Sequence, residues 1–281
     1  MTTLALIGRI ILLGLERIIV KKLGKDNSSI EVTILFFGIG AICLLPFLTG
    51  IEVKNLNFLL KALISSTIYS VTFVLYVKAL SEGDISLVTP VASFNVLFLF
   101  LLSVIFLDER LTLIKSLGII LIFYGSSYLK PGANLFQSIK AVLKEKPCQY
   151  MLISSLLLAI GRVIDKASSK DVSALLYSFV IYSFITLILL VYIFVKKRWN
   201  NLIRLFLAKP GIAIISGGIN AFSYLFLLIA LKGIEVSVAE PLTLLSTLLA
   251  VILGKYIFKE KIQQRFIAAV IIMVGAWLLL L

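Results

Sequence analysis

The chain has 281 residues, of which 60% are hydrophobic and 15% charged, and its mean hydropathy is +1.11, well above the apolar share of a water-soluble domain. A net charge of +13 would suit a nucleic-acid-binding protein, but the lysines and arginines are spread over many short polar seams. No aromatic-basic RNA motif or soluble DNA-binding helix accompanies them, which excludes nucleic acid as a partner. With two cysteines, Cys43 and Cys148, far apart and no histidine, there is no metal-ligand spacing, and neither a metal nor a cofactor is expected.

Crossing the hydrocarbon layer takes about 20 mostly apolar residues, and lipid offers no partner for unpaired backbone groups, so each long apolar block reads as a spanning helix. Ten such blocks follow one another, at 3–21, 30–48, 60–80, 85–107, 112–129, 149–167, 173–195, 210–231, 236–258 and 264–281. The first resembles a secretory signal only superficially. It lacks a basic head and a small-residue cleavage pattern, and it carries Arg9 and Glu16 inside the apolar run. The longest polar stretch runs from Lys130 to Pro147 and divides the chain into a first five-helix unit at 1–130, a linker at 131–147 and a second five-helix unit at 148–281. Every other connection is too short to fold by itself. The expected fold is an all-α membrane protein of ten transmembrane helices, surrounded by lipid and placed in the plasma or inner membrane of the cell.

The two units repeat one another. A shift of 151 residues lays Ala79-Leu80 on Ala230-Leu231, Ser86 on Ser237, Pro90 on Pro241, Leu97 on Leu248, Leu102 on Leu253 and Glu109 on Glu260. A shift of 145 lays Arg17 on Arg162, Lys21 on Lys166 and Asp26 on Asp171. Because each half holds an odd number of helices, the second enters the membrane from the opposite side. That makes two inverted five-helix repeats, an architecture typical of alternating-access carriers.

Ala79-Leu80, the stretch from Ser86 to Pro90, and Asp108-Glu109-Arg110 followed by a helix with Gly118 and Gly125 resemble the EamA family of the drug/metabolite transporter superfamily. The second half repeats this order with Ala230-Leu231, Ser237 to Pro241, Glu260-Lys261 and the Gly275 helix, so the resemblance covers essentially the whole chain. It implies a carrier in which helices one to four and six to nine surround a central cavity while helices five and ten stand outside. Members are drawn with both termini in the cytoplasm, whereas the basic residues here concentrate in the loops after helices one, three, five, seven and nine, which by the positive-inside rule puts the termini outside.

Polar groups within spans turn away from lipid and mark the cavity. Ser216, Asn220, Ser223 and Tyr224 share one face of helix eight, and their repeat partners Ser65, Tyr69, Thr72 and Phe73 form the matching stripe on helix three. Either stripe can also serve as hydrogen-bonding glue between helices. Pro90 and Pro241, near the starts of helices four and nine, each remove an amide donor and are candidate gating breaks or simple kinks. Glu240, beside Pro241, is either functional or a headgroup-level charge. Glu16 in helix one is costly unless a cation lies nearby. Arg17 and Arg162, at matching repeat positions, can hold a carboxylate through a planar fork, or they can snorkel toward headgroups with Lys21 and Lys166. Arg9 is either internal or a terminal anchor, helix six adds Asp165, and Glu109, Arg110, Glu260 and Lys261 read as capping and topology residues.

The substrate-binding set is therefore Glu16, Arg17, Tyr69, Thr72, Phe73, Arg162, Asn220, Ser223, Tyr224 and Glu240, with Pro90 and Pro241 gating. The chemistry this set suits is carriage of a small anionic or zwitterionic metabolite such as an amino acid, with protons as the candidate coupling ion through Glu16 or Glu240. An alternative is an organic cation, held by Glu16 or Glu240 with Tyr69, Phe73 and Tyr224. A membrane-embedded enzyme or a non-transporting scaffold is the third reading. It is disfavoured because no nucleophile-base pair and no phosphate loop occurs. No feature specifies an oligomeric state.

Overall fold

The computed structural model describes residues 2–49, 56–107, 112–130, 135–168, 172–230 and 242–278. They form α1 (Thr2–Gly24), α2 (Ser29–Leu44), α3 (Phe58–Glu82), α4 (Ile85–Ala92), α5 (Phe94–Leu107), α6 (Leu113–Ser127), α7 (Leu135–Lys144), α8 (Lys146–Ser168), α9 (Ala174–Val195), α10 (Trp199–Ala208), α11 (Pro210–Ala230), α12 (Leu245–Phe258) and α13 (Gln263–Leu278). No strand occurs among the described residues. Among the described residues, six helical stretches are long and apolar enough to cross a bilayer: Ser29–Leu48, Phe58–Glu82, Ile85–Leu102, Lys146–Asp165, Ala174–Val195 and Pro210–Ala230. Leu113–Ser126, Leu245–Phe258 and Gln263–Leu278 are shorter apolar helices. The 23-residue α1 is interrupted by Arg9, Glu16, Arg17, Lys21 and Lys22.

The polarity of the bundle is reversed from that of a water-soluble protein. Leu4, Leu60 and Phe194 are 75%, 68% and 80% exposed, while Arg9, Glu16, Arg17, Arg162 and Asp165 are buried. Apolar side chains outside and charges inside are what a lipid solvent demands.

Packing follows the repeat. α3 lies along α8 as α1 lies along α11; α5 meets α8 as α1 meets α12; α2 meets α11 as α3 meets α9. In each pair of contacts a helix and its repeat counterpart exchange places. α6 and α13 pack mainly on each other, and small residues bring their backbones together. A Cβ at Gly275 would lie 2.8 Å from the Gly118 carbonyl oxygen and 2.9 Å from the Ile122 amide nitrogen. The same device joins α2 to α11, where a Cβ at Gly217 would lie 2.9 Å from the Gly40 amide nitrogen.

Three features depart from the sequence reading. The fourth span is two helices, α4 and α5, separated at Ser93. Pro90 withholds its amide within α4; Ser93 N–H then bonds the Pro90 carbonyl and Val96 N–H the Ser93 carbonyl, each at 3.1 Å. The polar linker contains α7, and the connection after α9 contains α10, whose Leu202 and Leu205 are buried while Trp199, Ile203 and Leu207 are exposed. Both additions are ten-residue helices with apolar and basic residues, suited to lying in the membrane interface.

The first turn of α4 is capped from the other half of the chain. Asp84 sits at the N-cap but makes no capping bond with its side chain, because its carboxylate takes a 2.8 Å bond from Arg265. Glu260 replaces it, accepting from the amides of Ile85 and Ser86 at 2.9 and 2.8 Å.

Candidate functional site

A cavity of about 90 Å³ lies at the centre of the bundle, room enough for several water molecules or a small ligand. Its walls come from α1, α2, α3, α4, α5, α8, α9 and α11, and from Thr243 and Leu244 just before α12; α6 and α13 contribute nothing to it among the described residues. Of the residues expected at the site, Glu16, Arg17, Tyr69, Thr72, Phe73, Arg162, Asn220 and Tyr224 line this cavity. Ser223 is fully buried and accepts a hydrogen bond from the Arg9 guanidinium. Pro90 is buried within α4, and Glu240 and Pro241 lie outside the described residues.

The lining is divided into two polar groups. Around α1, Glu16 accepts a 3.3 Å bond from the Tyr76 hydroxyl, and Arg9, Arg17 and Arg162 are the cations acting on it. Arg17 donates through Nη1 to Thr247 at 3.1 Å, and its buried Nε has no partner among the described residues. Arg9 is thus internal, which its position near the N-terminus left open. Tyr182 donates to Asn220 Oδ1 at 2.7 Å and stacks on the Tyr224 ring with centroids 5.7 Å apart.

Around α8, Asp165 accepts four hydroxyl bonds. Ser65 and Tyr177 donate to Oδ1 at 2.7 and 2.8 Å, and Tyr69 and Tyr224 to Oδ2 at 2.5 and 2.9 Å. The donors come from α3, α9 and α11, so one carboxylate joins helices of both halves. Arg162, one turn earlier on α8, lies 3.7 Å from Oδ2. Its guanidinium carbon sits 5.2 Å from the Tyr224 ring centre and 6.0 Å from that of Tyr69, within cation–π range.

The expected site set omitted, among others, Arg9, Tyr76, Asn95, Asp165, Tyr177 and Tyr182. Asp165 stands three residues after Arg162, a spacing that places both on one helix face, and this was the available signal. Asn95 lines the cavity beside the α4–α5 break, and its buried Oδ1 has no partner among the described residues. Arg9, Arg17 and Arg162 place three guanidinium groups against the two carboxylates of Glu16 and Asp165. Among the described residues the cavity therefore carries one positive charge in excess when both acids are ionised.

No curated protein matches the chain. A crystal structure of a protein 16% identical in sequence aligns over 99% of this chain and 95% of its own with a TM-score of 0.57, a likeness of fold alone. The model of the EamA-like transporter family matches residues 1–129 and 146–281. With apolar helices outside, a charged cavity within and that match across both halves, the chain belongs to the EamA-like transporter family of the drug/metabolite transporter superfamily and is an integral, multi-pass membrane protein.

Proposed function

We propose that the protein is a secondary carrier of small anionic or zwitterionic metabolites of the amino-acid type, working by alternating access in the plasma or inner membrane. The observation that carries this reading is the excess of guanidinium groups at the central cavity among the described residues. Arg17 Nε is an unused buried donor among the described residues and is open to a ligand carboxylate, with Arg162 lining the same cavity. Planar guanidinium groups hold carboxylates in a two-point contact that lysine cannot copy.

In this reading α1, α2, α3, α4 with α5, and α6 are the five spans of one repeat, and α8, α9, α11, α12 and α13 those of its inverted partner. The repeats rock against each other, with the α4–α5 break that follows Pro90 as one pivot and Pro241, named from the sequence, as the other, and expose the cavity to either side in turn. Glu16, beside the arginines, is the group through which protons would be coupled to the substrate's movement. Glu240 is its alternative, named from the sequence. An organic cation fits less well, because the faces of Tyr69 and Tyr224 are already covered by Arg162.

Purified protein in proteoliposomes, assayed for counterflow and pH-driven uptake over amino acids, dicarboxylates, phosphorylated sugars, polyamines and quaternary amines, tests the reading. Uptake of a carboxylate-bearing class, weakened about tenfold or more by R17Q and by R162Q, is expected, since tenfold is about 1.4 kcal/mol of lost binding. No exchange with any class would sink it, and inhibition by quaternary amines alone would replace the anion with a cation.

A further inference from the structure

We propose that the groove between the α1–α2 turn and α10 is a binding site for the headgroup of an aminophospholipid of the phosphatidylethanolamine type, with the ammonium on Glu31 and the phosphate on Arg204. The groove has a volume of about 440 Å³, and its lining includes Asp26, Ser28 and Glu31 from the turn and the start of α2, and Arg204, Leu205 and Ala208 from α10. It shares no lining residue with the central cavity, so the proposal stands apart from the carrier reading. Glu31 is only 1% exposed, and neither of its carboxylate oxygens accepts an aligned hydrogen bond among the described residues. Arg198 Nη2 lies 2.7 Å from Oε1 as an ion pair, which leaves Oε2 for a second cation. A buried carboxylate short of donors is costly, and a primary ammonium brings three. Asp26 and Arg204 are both exposed, so the groove carries a carboxylate at its floor and a guanidinium at its rim.

That order of charge matches a zwitterionic headgroup entering ammonium first. The level of the groove makes the ligand a lipid. Trp199, Ile203 and Leu207 recur every four residues as an exposed apolar stripe on α10, while Leu202 and Leu205 are buried. A tryptophan beside basic residues on such a helix sits among headgroups. The phosphate would meet the planar guanidinium of Arg204 at the positive end of α2, where Ser28 makes no capping bond with its side chain. Leu205 and Ala208 line the same groove and suit the glycerol end. Phosphatidylcholine has no N–H to give Glu31, and phosphatidylglycerol has no cation at all. Because α2 belongs to the first half and α10 to the second, the lipid would tie the halves together at one end of the bundle.

Native mass spectrometry of the full-length protein in detergent, titrated with dioleoyl phosphatidylethanolamine, phosphatidylcholine or phosphatidylglycerol, tests the site. The ethanolamine lipid is expected to bind about tenfold more tightly than either of the others, the scale of a hydrogen bond to a charged group. E31Q should remove that preference, leaving the ethanolamine lipid level with the choline lipid. R204Q should weaken both of these lipids alike, since they share the phosphate, and keep their order. R198Q removes the cation that competes for Glu31 and should keep the preference or sharpen it. Equal binding of the three lipids by the wild type overturns the proposal, as does a preference that survives in folded E31Q or is lost in R198Q. If E31Q fails to fold, R204Q on the exposed rim decides, and unchanged affinity for the ethanolamine lipid overturns the proposal. Phosphoethanolamine without acyl chains is the soluble source of the same chemistry. It is expected to displace the lipid poorly, and displacement at concentrations as low as those of the lipid would overturn the assignment to a membrane lipid.

Discussion

Lys21 and Glu260 come from opposite halves of the chain and meet at 2.9 Å. Lys21 also donates to the Gly83 carbonyl at 2.8 Å, and Glu260 caps α4, so three connections at one end of the bundle close on a single carboxylate. Burial by itself would raise the Glu260 carboxyl, but hydrogen bonding from Ser86 and the Lys21 ammonium outweigh it and hold the group below its ordinary value of 4.5. A lowered carboxyl contributes stability that is complete above its ordinary value and is lost as pH falls through the lowered one. E260Q is expected to cost about 2 kcal/mol near neutral pH, the scale of hydrogen bonds to a charged group. Melting in detergent as a function of pH checks this. The gap between wild type and E260Q should close on acidification below 4.5, and a gap that widens there would contradict the assignment.

Lys259, the residue before Glu260, ends α12 with φ of 57°, in the left-handed region. A side chain there costs about 1–2 kcal/mol that glycine does not, and helices commonly close on glycine at this position. K259G is exposed and far from the cavity, so it should stabilise the protein by about 1 kcal/mol and leave substrate uptake unchanged. A lower melting temperature would show that the turn depends on the lysine side chain.

The all-helical apolar character, the two-repeat layout and the burial of polar residues on α3 and α11 were legible because each depends on local apolar length or on spacing along one helix. Lys21 was expected to snorkel with Lys166, and instead it pairs with Glu260. No local pattern joins positions so distant in the chain, and the side chain of Lys166 lies outside the described residues. The hub at Asp165 was hidden for the same reason, since its four hydroxyls come from three other helices. Pro90 pointed toward the break in the fourth span, but the interruption falls at Ser93, where the Pro90 carbonyl takes the next amide. Which way Arg9 turned depended on Ser223, again across the repeat.

Gly161 is the counterpart of Glu16 under the 145-residue shift: one half has a charge where the other has an absence. With Tyr69 Cε1 and Cζ only 2.2 and 2.7 Å from where a Cβ would stand, G161A must push the ring out of its place. Overpacking of this kind costs about 1–3 kcal/mol or more. Gly211 has open space around it, so G211A should stay within about 1 kcal/mol of wild type. Similar losses at both positions would mean that glycine serves backbone freedom rather than the ring.

Asn95 gives the sharpest separation of function from stability. Asn95 lines the cavity next to the α4–α5 break, and its side-chain oxygen is buried without a partner among the described residues. An unsatisfied buried acceptor costs about 1–3 kcal/mol, and a carrier of zwitterions can use one as the seat of an ammonium group, with the carboxylate on Arg17 or Arg162. N95A deletes the acceptor, so melting should stay level or rise while affinity for a zwitterion falls about tenfold, equivalent to 1.4 kcal/mol. Anions lacking an amine should bind N95A as they bind the wild type. Equal loss for both ligand types would place Asn95 in the packing of the helix break, and unchanged affinity for the zwitterion would remove it from the binding site.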